Sequence, residues 1–166
     1  MNIYEYLKLD HEHVSQLFHQ FEKSKILTRK KQIVFLIAQE LLVHAHSEQE
    51  TFYRALQLFE TTKENAVHGK KEHKEIEEQI NLILHSQEFG ASWVKKVEKL
   101  KEIVEHHVKE EEGAIFTKAQ KVLSKEDAYD LKEKMHYLKQ YLLLSLKKES
   151  YTLGENKNKT IIKSAK

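Results

Sequence analysis

Nowhere in its 166 residues does the chain carry a proline, and glycine occurs only four times. Tight turns, sheet edges and irregular loops draw on these two residues, because proline presets φ and glycine supplies positive φ. A chain so poor in both is restricted to long helices joined by short connections, since a helix interior is where both residues are disfavoured. The length is that of one ordinary domain and is enough to bury a core. Hydrophobic residues make up 40% and charged residues 33%, a globular rather than a disordered balance.

Apolar residues recur at the three- and four-residue intervals of a helix face through most of the chain. Ile3, Leu7, Val14, Phe18 and Phe21 form one stripe, and Ile33, Ile37, Leu41, Phe52 and Ala55 a second. Ile76, Ile80 and Ile83 form a third, and Trp93, Val97, Leu100, Val104 and Ile115 a fourth. A fifth runs through Leu131, Met135, Leu138 and Leu142. Breaks near 24–28, 61–66, 87–92 and 122–124 separate helices expected over 2–23, 29–58, 67–86, 92–120 and 125–148. Ser124 followed by Asp127 reads as the cap of the last one. The expected fold is all-α, an antiparallel up-down-up-down four-helix bundle with an additional C-terminal helix. The expected domain is 1–148, and 149–166 reads as a basic, disordered tail.

The stripes have gaps, and ligand-type residues fill them. The core lines read Leu7-His11-Val14, Leu41-His44-Glu48-Phe52, His73-Ile76-Ile80 and Val104-His107-Glu111-Ile115. At about 100° per residue, a spacing of four returns to within about 40° of the same direction. His44 with Glu48, and His107 with Glu111, therefore point inward together. A buried carboxylate without compensation costs several kcal/mol or takes up a proton. A pair of metal ions compensates imidazole nitrogen and carboxylate oxygen at once. A single histidine on an apolar stripe is more often a hydrogen-bonded core residue than a ligand; four helices with the same feature in register make metal binding the stronger reading. The remaining histidines, His13, His19, His46, His85, His106 and His136, lack that pattern and read as surface.

The absence of cysteine excludes disulfides, iron–sulfur clusters, thiolate zinc sites and cysteine nucleophiles. The N-terminal MNIYEYLKLDHEH has no apolar run of signal-peptide length. The longest apolar run, Ile33 to Ala38, falls far short of the roughly 20 residues that cross a bilayer. A reducing cytoplasm is the expected location, with no membrane partner. A net charge of +2 gives no case for nucleic acid. Nothing resembles a nucleophilic triad, a phosphate loop or a dinucleotide fingerprint.

With these residues in hand, the chain resembles the bacterial hemerythrin-like, or HHE, cation-binding domains. The matching segments are LDHEHVSQLF around His11, LLVHAHSEQETFYRAL around His44, KEHKEIEEQI around His73 and VEHHVKEEEGAIFTKA around His107. The resemblance covers residues 1 to about 120, and its second and fourth segments are the specific ones. It implies a bundle holding two iron ions bridged by oxide or hydroxide. Carried over residue by residue, the ligands are His11, His44, Glu48, His73, His107 and Glu111. Glu112 is a rival to Glu111, because the invertebrate oxygen carriers place their acid five residues after the histidine; regular helix geometry favours Glu111. Those carriers also have a second histidine four residues from one on the third helix, where this chain has Gly69 and Glu77. A seventh ligand is therefore unassigned, with His68 and Glu77 as candidates.

Three classes of function follow. The first is a non-haem iron protein that binds oxygen, nitric oxide or peroxide at an open metal position, as a sensor, store or stress-response factor. The second is a di-iron oxidase, a peroxidase or a factor that repairs iron centres. The third is a structural or partner-binding bundle whose site is vestigial or holds zinc. Four histidines beside two or three carboxylates lean toward the first. A nitrogen–oxygen donor set also accepts zinc or manganese. The fifth helix carries no ligand pair, so it is expected to cover the bundle and to be dispensable for metal.

Overall fold

The computed structural model describes the backbone of residues 1–164 and the side chains of residues 1–148. Helix α1 (Ile3–Lys23) starts from a capping box, in which Asn2 Oδ1 accepts from the Glu5 amide at 3.0 Å and the Glu5 carboxylate accepts from the Asn2 amide at 2.9 Å. Helix α2 (Leu27–Glu48) runs through a π turn (Gln49–Tyr53) into the short α3 (Arg54–Leu56), so these form one rod. Helix α4 spans Lys63–Leu84. Helix α5 (Ala91–Glu110) likewise passes through a π turn (Glu111–Ile115) into α6 (Phe116–Val122). Helix α7 (Lys125–Ser164) begins at the expected cap, where the Asp127 amide donates to Ser124 Oγ at 3.0 Å and Asp127 Oδ2 accepts from the Ser124 amide at 2.8 Å. Among the described residues there is no strand.

Several boundaries differ from the periodicity reading. The second rod stops at Leu56 and α4 starts at Lys63, because the buried Thr62 hydroxyl donates to the Leu56 carbonyl at 2.7 Å and ties the connection down. The backbone of α7 is helical past residue 148. The expectation of a disordered tail over 149–166 falls on residues whose side chains lie outside the described set.

Cross-helix pairs show how neighbours run. Asp10 meets His44 and His13 meets Glu40; His11 meets Glu112 and Glu22 meets Lys101. In each case the partner's number falls as the residue's number rises.

The apolar residues make two separate cores. One holds Val14, Phe18, Phe21, Ile33, Ile37, Leu41, Ile76, Ile80, Trp93, Val97, Leu100 and Val104. The other holds Ile3, Leu7, Phe52, Tyr53, Leu56, Ala66, Ile115, Phe116 and Met135. On every one of the four rods the residues between these cores include the gap-filling histidines: His11 on α1, His44 on α2, His73 on α4 and His107 on α5. The fold therefore clamps a polar layer between two dry regions. Helix α7 packs on α1, α2 and the first π turn, and puts Ala128, Leu131 and Met135 into the second core.

Met135 is fully buried, so truncating it removes packed apolar volume on the seam that holds α7. Met135→Ala is expected to cost about 2–5 kcal/mol, read as a lower urea midpoint. An unchanged midpoint would show that α7 is not packed as described.

Candidate metal centre

The six inward side chains meet in the polar layer. His11, His44, His73 and His107 are each less than a tenth exposed, and Glu48 and Glu111 are fully buried. Their donor atoms form two groups that could each hold a metal ion: Glu48, His73, His107 and Glu111 in one, and His11, His44 and Glu111 in the other. Glu111 belongs to both. Its Oε1 lies 3.3 Å from His11 Nε2, and its Oε2 lies 3.4 Å from His107 Nε2, so one carboxylate spans the two groups. Glu48 Oε2 lies 3.1 Å from His73 Nε2 and 3.6 Å from His44 Nε2. His73 and His107 bring their Nε2 atoms to 3.1 Å of each other. Donors held about 2.0–2.2 Å from one ion, at angles of 90–110°, sit about 3.0–3.5 Å apart, which is the spacing these atoms show.

A second layer fixes the rings. Nδ1 of His44 meets Asp10 Oδ2 at 2.9 Å, Nδ1 of His11 meets Glu112 Oε1 at 2.9 Å, and Nδ1 of His107 meets Glu72 Oε1 at 3.1 Å. A carboxylate on Nδ1 keeps the proton there and leaves the Nε2 lone pair facing the layer, the usual arrangement behind a ligating histidine. Asp10 is held in turn by Lys139 of α7, whose Nζ lies 2.6 Å from Oδ1. Tyr53 donates its hydroxyl to Glu111 Oε2 and stacks on His73, with centroids 5.3 Å apart and planes at 22°.

Burial and close contact shift the titrating groups of the layer in opposite directions, with His11 raised by Glu111 and Glu112. Burial first, and the neighbouring Glu111 second, push the Glu48 carboxyl well above its ordinary range. Burial also raises Glu111, but the close approach of His11 and the neighbouring His107 override it and hold Glu111 down. Burial, with His107 and His44 nearby, drives His73 well below the usual imidazole range, and burial lowers His44. Apart from Tyr4 Oη, the buried side-chain atoms without a hydrogen-bond partner, among the described residues, all belong to this layer. They are His11 Nε2, His44 Nε2, His73 Nδ1, both Glu48 oxygens and Glu111 Oε1. Cations between the two groups would satisfy the Nε2 and carboxylate atoms together, so the donor set fits a metal pair.

A cavity of about 20 Å³ adjoins the four imidazoles and is walled by Val14, Leu41, Ile76, Val104 and Val108. It is about the size of one small molecule.

The structure places the other sequence candidates outside this layer. Glu77 is exposed. His68 has a half-exposed side chain directed to Glu110 at 3.0 Å. Glu112 stays at the rim, a third exposed, and serves His11 from behind. The helix is locally distorted here, as the second π turn, but the distortion begins at Glu111, so His107 and Glu111 keep their regular four-residue spacing. Tyr53, Asp10, Glu72 and Lys139 were not anticipated. The π turn carries Tyr53: its i→i+5 pattern brings residue 53 back to the face of Glu48, where a regular helix would turn it about 140° away.

A family model described as the hemerythrin HHE cation binding domain matches residues 2–119. This chain therefore belongs to the hemerythrin HHE cation-binding family. Its fold is similar to the crystal structure of a hemerythrin HHE cation binding domain-containing protein from Mycobacterium kansasii, with a TM-score of 0.78 and 22% identity over 89% of this chain and 91% of the other. It is also 29% identical over 128 residues to a protein named DNA nickase from Nostoc sp. (strain PCC 7120). That match takes in 76% of this chain, which spans about a third (36%) of the Nostoc protein's length. No described helix is long and apolar enough to cross a membrane.

Gly69 tests the Tyr53 contact. A Cβ at Gly69 would sit 2.5 Å from the Tyr53 ring and hydroxyl. Gly→Ala inside a helix ordinarily stabilises by about 0.8–1.0 kcal/mol, whereas here the overlap is expected to reverse the sign and cost about 1–3 kcal/mol. Denaturant unfolding of Gly69→Ala decides between them, and a stabilised variant would mean that Tyr53 does not occupy this place.

Proposed function

We propose that this chain is a non-haem di-iron protein whose metal pair takes a small ligand, dioxygen, nitric oxide or peroxide, in sensing, storage or the response to stress. The observation that carries the reading is the Glu111 carboxylate, with one oxygen turned to each of two ligand groups. His73, His107 and Glu48 would hold one iron, His11 and His44 the other, and Glu111 both. The falling partner numbers between neighbouring helices support the antiparallel up-down-up-down course that brings all four rods to one layer.

The metal pair would supply redox-active iron with a position open to an exogenous ligand. The protein's own part is placement and exclusion. Asp10, Glu112 and Glu72 hold three imidazoles with Nε2 inward. Tyr53 donates to Glu111 Oε2 and closes the layer toward the second core. The apolar wall of the small cavity favours a neutral diatomic over a larger polar substrate. Four imidazoles against two inward carboxylates keep the site low in negative charge, which supports ligand binding ahead of oxidative turnover.

Anaerobic ferrous titration is expected to reach its equivalence point at about two irons per chain, followed by a new optical band on adding nitric oxide. An endpoint at one iron or none would overturn the di-iron reading. Glu111→Gln is expected to lose at least one iron, since it removes the charge shared by both groups. Glu112→Gln is expected to keep both irons and bind them about 10–100-fold more weakly through His11. The reverse order would mean that Glu112 is the inner ligand.

Stripping the metal tests burial of the site. Helicity should persist, because two apolar cores remain, while the melting temperature falls. At a hundredfold excess of free metal over its dissociation constant the linkage is about 2.7 kcal/mol. Identical melting curves with and without metal would argue against a buried centre.

A further inference from the structure

Outside the buried layer, on the seam between α4 and α5, four metal-ligating side chains converge. His68 and Glu72 lie one turn apart on α4, and His106 and Glu110 one turn apart on α5, so each helix presents a His–carboxylate pair on one face. The four close into a ring in which histidine and carboxylate alternate. His68 Nε2 is 3.0 Å from Glu110 Oε2, and Glu110 Oε1 is 3.2 Å from His106 Nε2. His106 Nε2 is 3.7 Å from Glu72 Oε2, and Glu72 Oε1 is 3.6 Å from His68 Nε2. Among the described residues, every ion-pair partner of Glu72 and Glu110 is a histidine, so no lysine or arginine occupies the place of a cation. The side chains of His68 and His106 are 54% and 66% exposed, which leaves the ring open to solvent, while Glu72 at 7% forms its floor.

We infer that this cluster is a separate, solvent-accessible site for a first-row divalent cation, with His68, Glu72 and Glu110 as its ligands and His106 beside them as a further donor. Two neutral imidazoles and two carboxylates give a nitrogen–oxygen set of the kind that zinc, ferrous iron and manganese accept. Donor atoms of His68, Glu72 and Glu110 all lie within 4.8 Å of one another, and His106, with Nε2 3.2 Å from Glu110 Oε1, joins them by a side-chain adjustment. Both carboxylates offset the charge of a divalent cation. A lone pair of exposed histidines would not do so.

The site is joined to the buried layer by one side chain. Glu72 Oε1 also meets His107 Nδ1 at 3.1 Å, and His107 turns its other nitrogen toward Glu111. A cation in the ring therefore shares its floor with the support of an inner imidazole. The ring is placed to hold a metal at the surface one residue away from the inner site, whatever metal fills that site.

The test uses the protein as purified, with its inner metals in place and counted, and Zn²⁺ as the probe. After equilibrium dialysis against zinc, elemental analysis should find one more zinc per chain in wild type than in the double variant His68→Ala/His106→Ala, with inner metal content equal in both. Both substituted side chains are exposed, and circular dichroism verifies that the variant is folded. His13→Ala/His19→Ala, which removes two exposed histidines elsewhere, should take up as much zinc as wild type. Equal uptake by wild type and the His68/His106 variant would overturn the site. So would zinc uptake matched by loss of inner metal, or an equal loss of zinc in the His13/His19 control. An inner layer that proves to hold one metal or none would overturn the di-iron reading instead and leave this difference intact.

Discussion

An ionised carboxylate in the dry middle of a helical bundle is several kcal/mol out of balance unless positive charge lies against it. Here two carboxyl groups, Glu48 and Glu111, are fully buried within reach of one another, and burial together with Glu111 pushes Glu48 toward its neutral form. Burial pushes His44 and His73 toward the neutral form, so those two rings are poor counterions, while Glu111 and Glu112 draw His11 the other way. A cation that takes imidazole lone pairs on one side and carboxylate oxygens on the other satisfies charge and hydrogen bonding together. The arrangement of the helices, the turns beside the acids and the second layer of carboxylates all follow from keeping that option open while excluding water.

The two apolar cores make this possible. The first lies on one side of the layer with Phe21, Ile37 and Trp93, the second on the other with Phe52, Tyr53 and Met135. Each rod crosses from one to the other and is fixed at both ends, so the polar residues between cannot swing out without unpacking an apolar cluster. The π turns lie just past or at the buried acids, at Gln49–Tyr53 and Glu111–Ile115. Their wider pitch lets Tyr53 and Phe116, each five residues beyond an acid, return to the inner face. Carbonyls loosened around the turns are taken up by hydroxyls, Thr51 Oγ1 on Ser47 O at 2.6 Å and Thr117 Oγ1 on Gly113 O at 2.8 Å.

The helices and the inner six residues were legible because they share a helix-period code with the core: His11, His44, His73 and His107 stand where an apolar residue is due. The supporting residues broke that code. Asp10 directly precedes His11 and Glu72 directly precedes His73, about 100° away on their own helices. Each serves the histidine of a different helix, Asp10 for His44 and Glu72 for His107. Periodicity reports which face of its own helix a residue occupies and says nothing of the neighbour it meets there. Tyr53 was hidden for a second reason. A period of 3.6 residues applies only while the turn is regular, and at the first π turn it stops applying, so Ala55 was counted in the stripe where Tyr53 and Leu56 are the residues wholly buried.

The same separation of face from neighbour revises the part played by α7. Its sequence offers an apolar stripe and no ligand pair, which describes a helix that covers the bundle and leaves the metal alone. Lys139 alters that picture, because it is a nearly buried cation paired with Asp10, and Asp10 orients His44. Burial by itself would raise the Asp10 carboxyl, yet the hydrogen bond from His44 and the Lys139 ammonium hold it down at about 2. Asp10 thus keeps its full negative charge against the His44 ring at neutral pH. With Lys139 removed, no ammonium would share the charge of Asp10, and that charge would draw the His44 imidazole toward the protonated form that cannot ligate. A helix without a ligand thereby helps to keep one of the inner nitrogens free, through two side chains that no pattern on either helix connects.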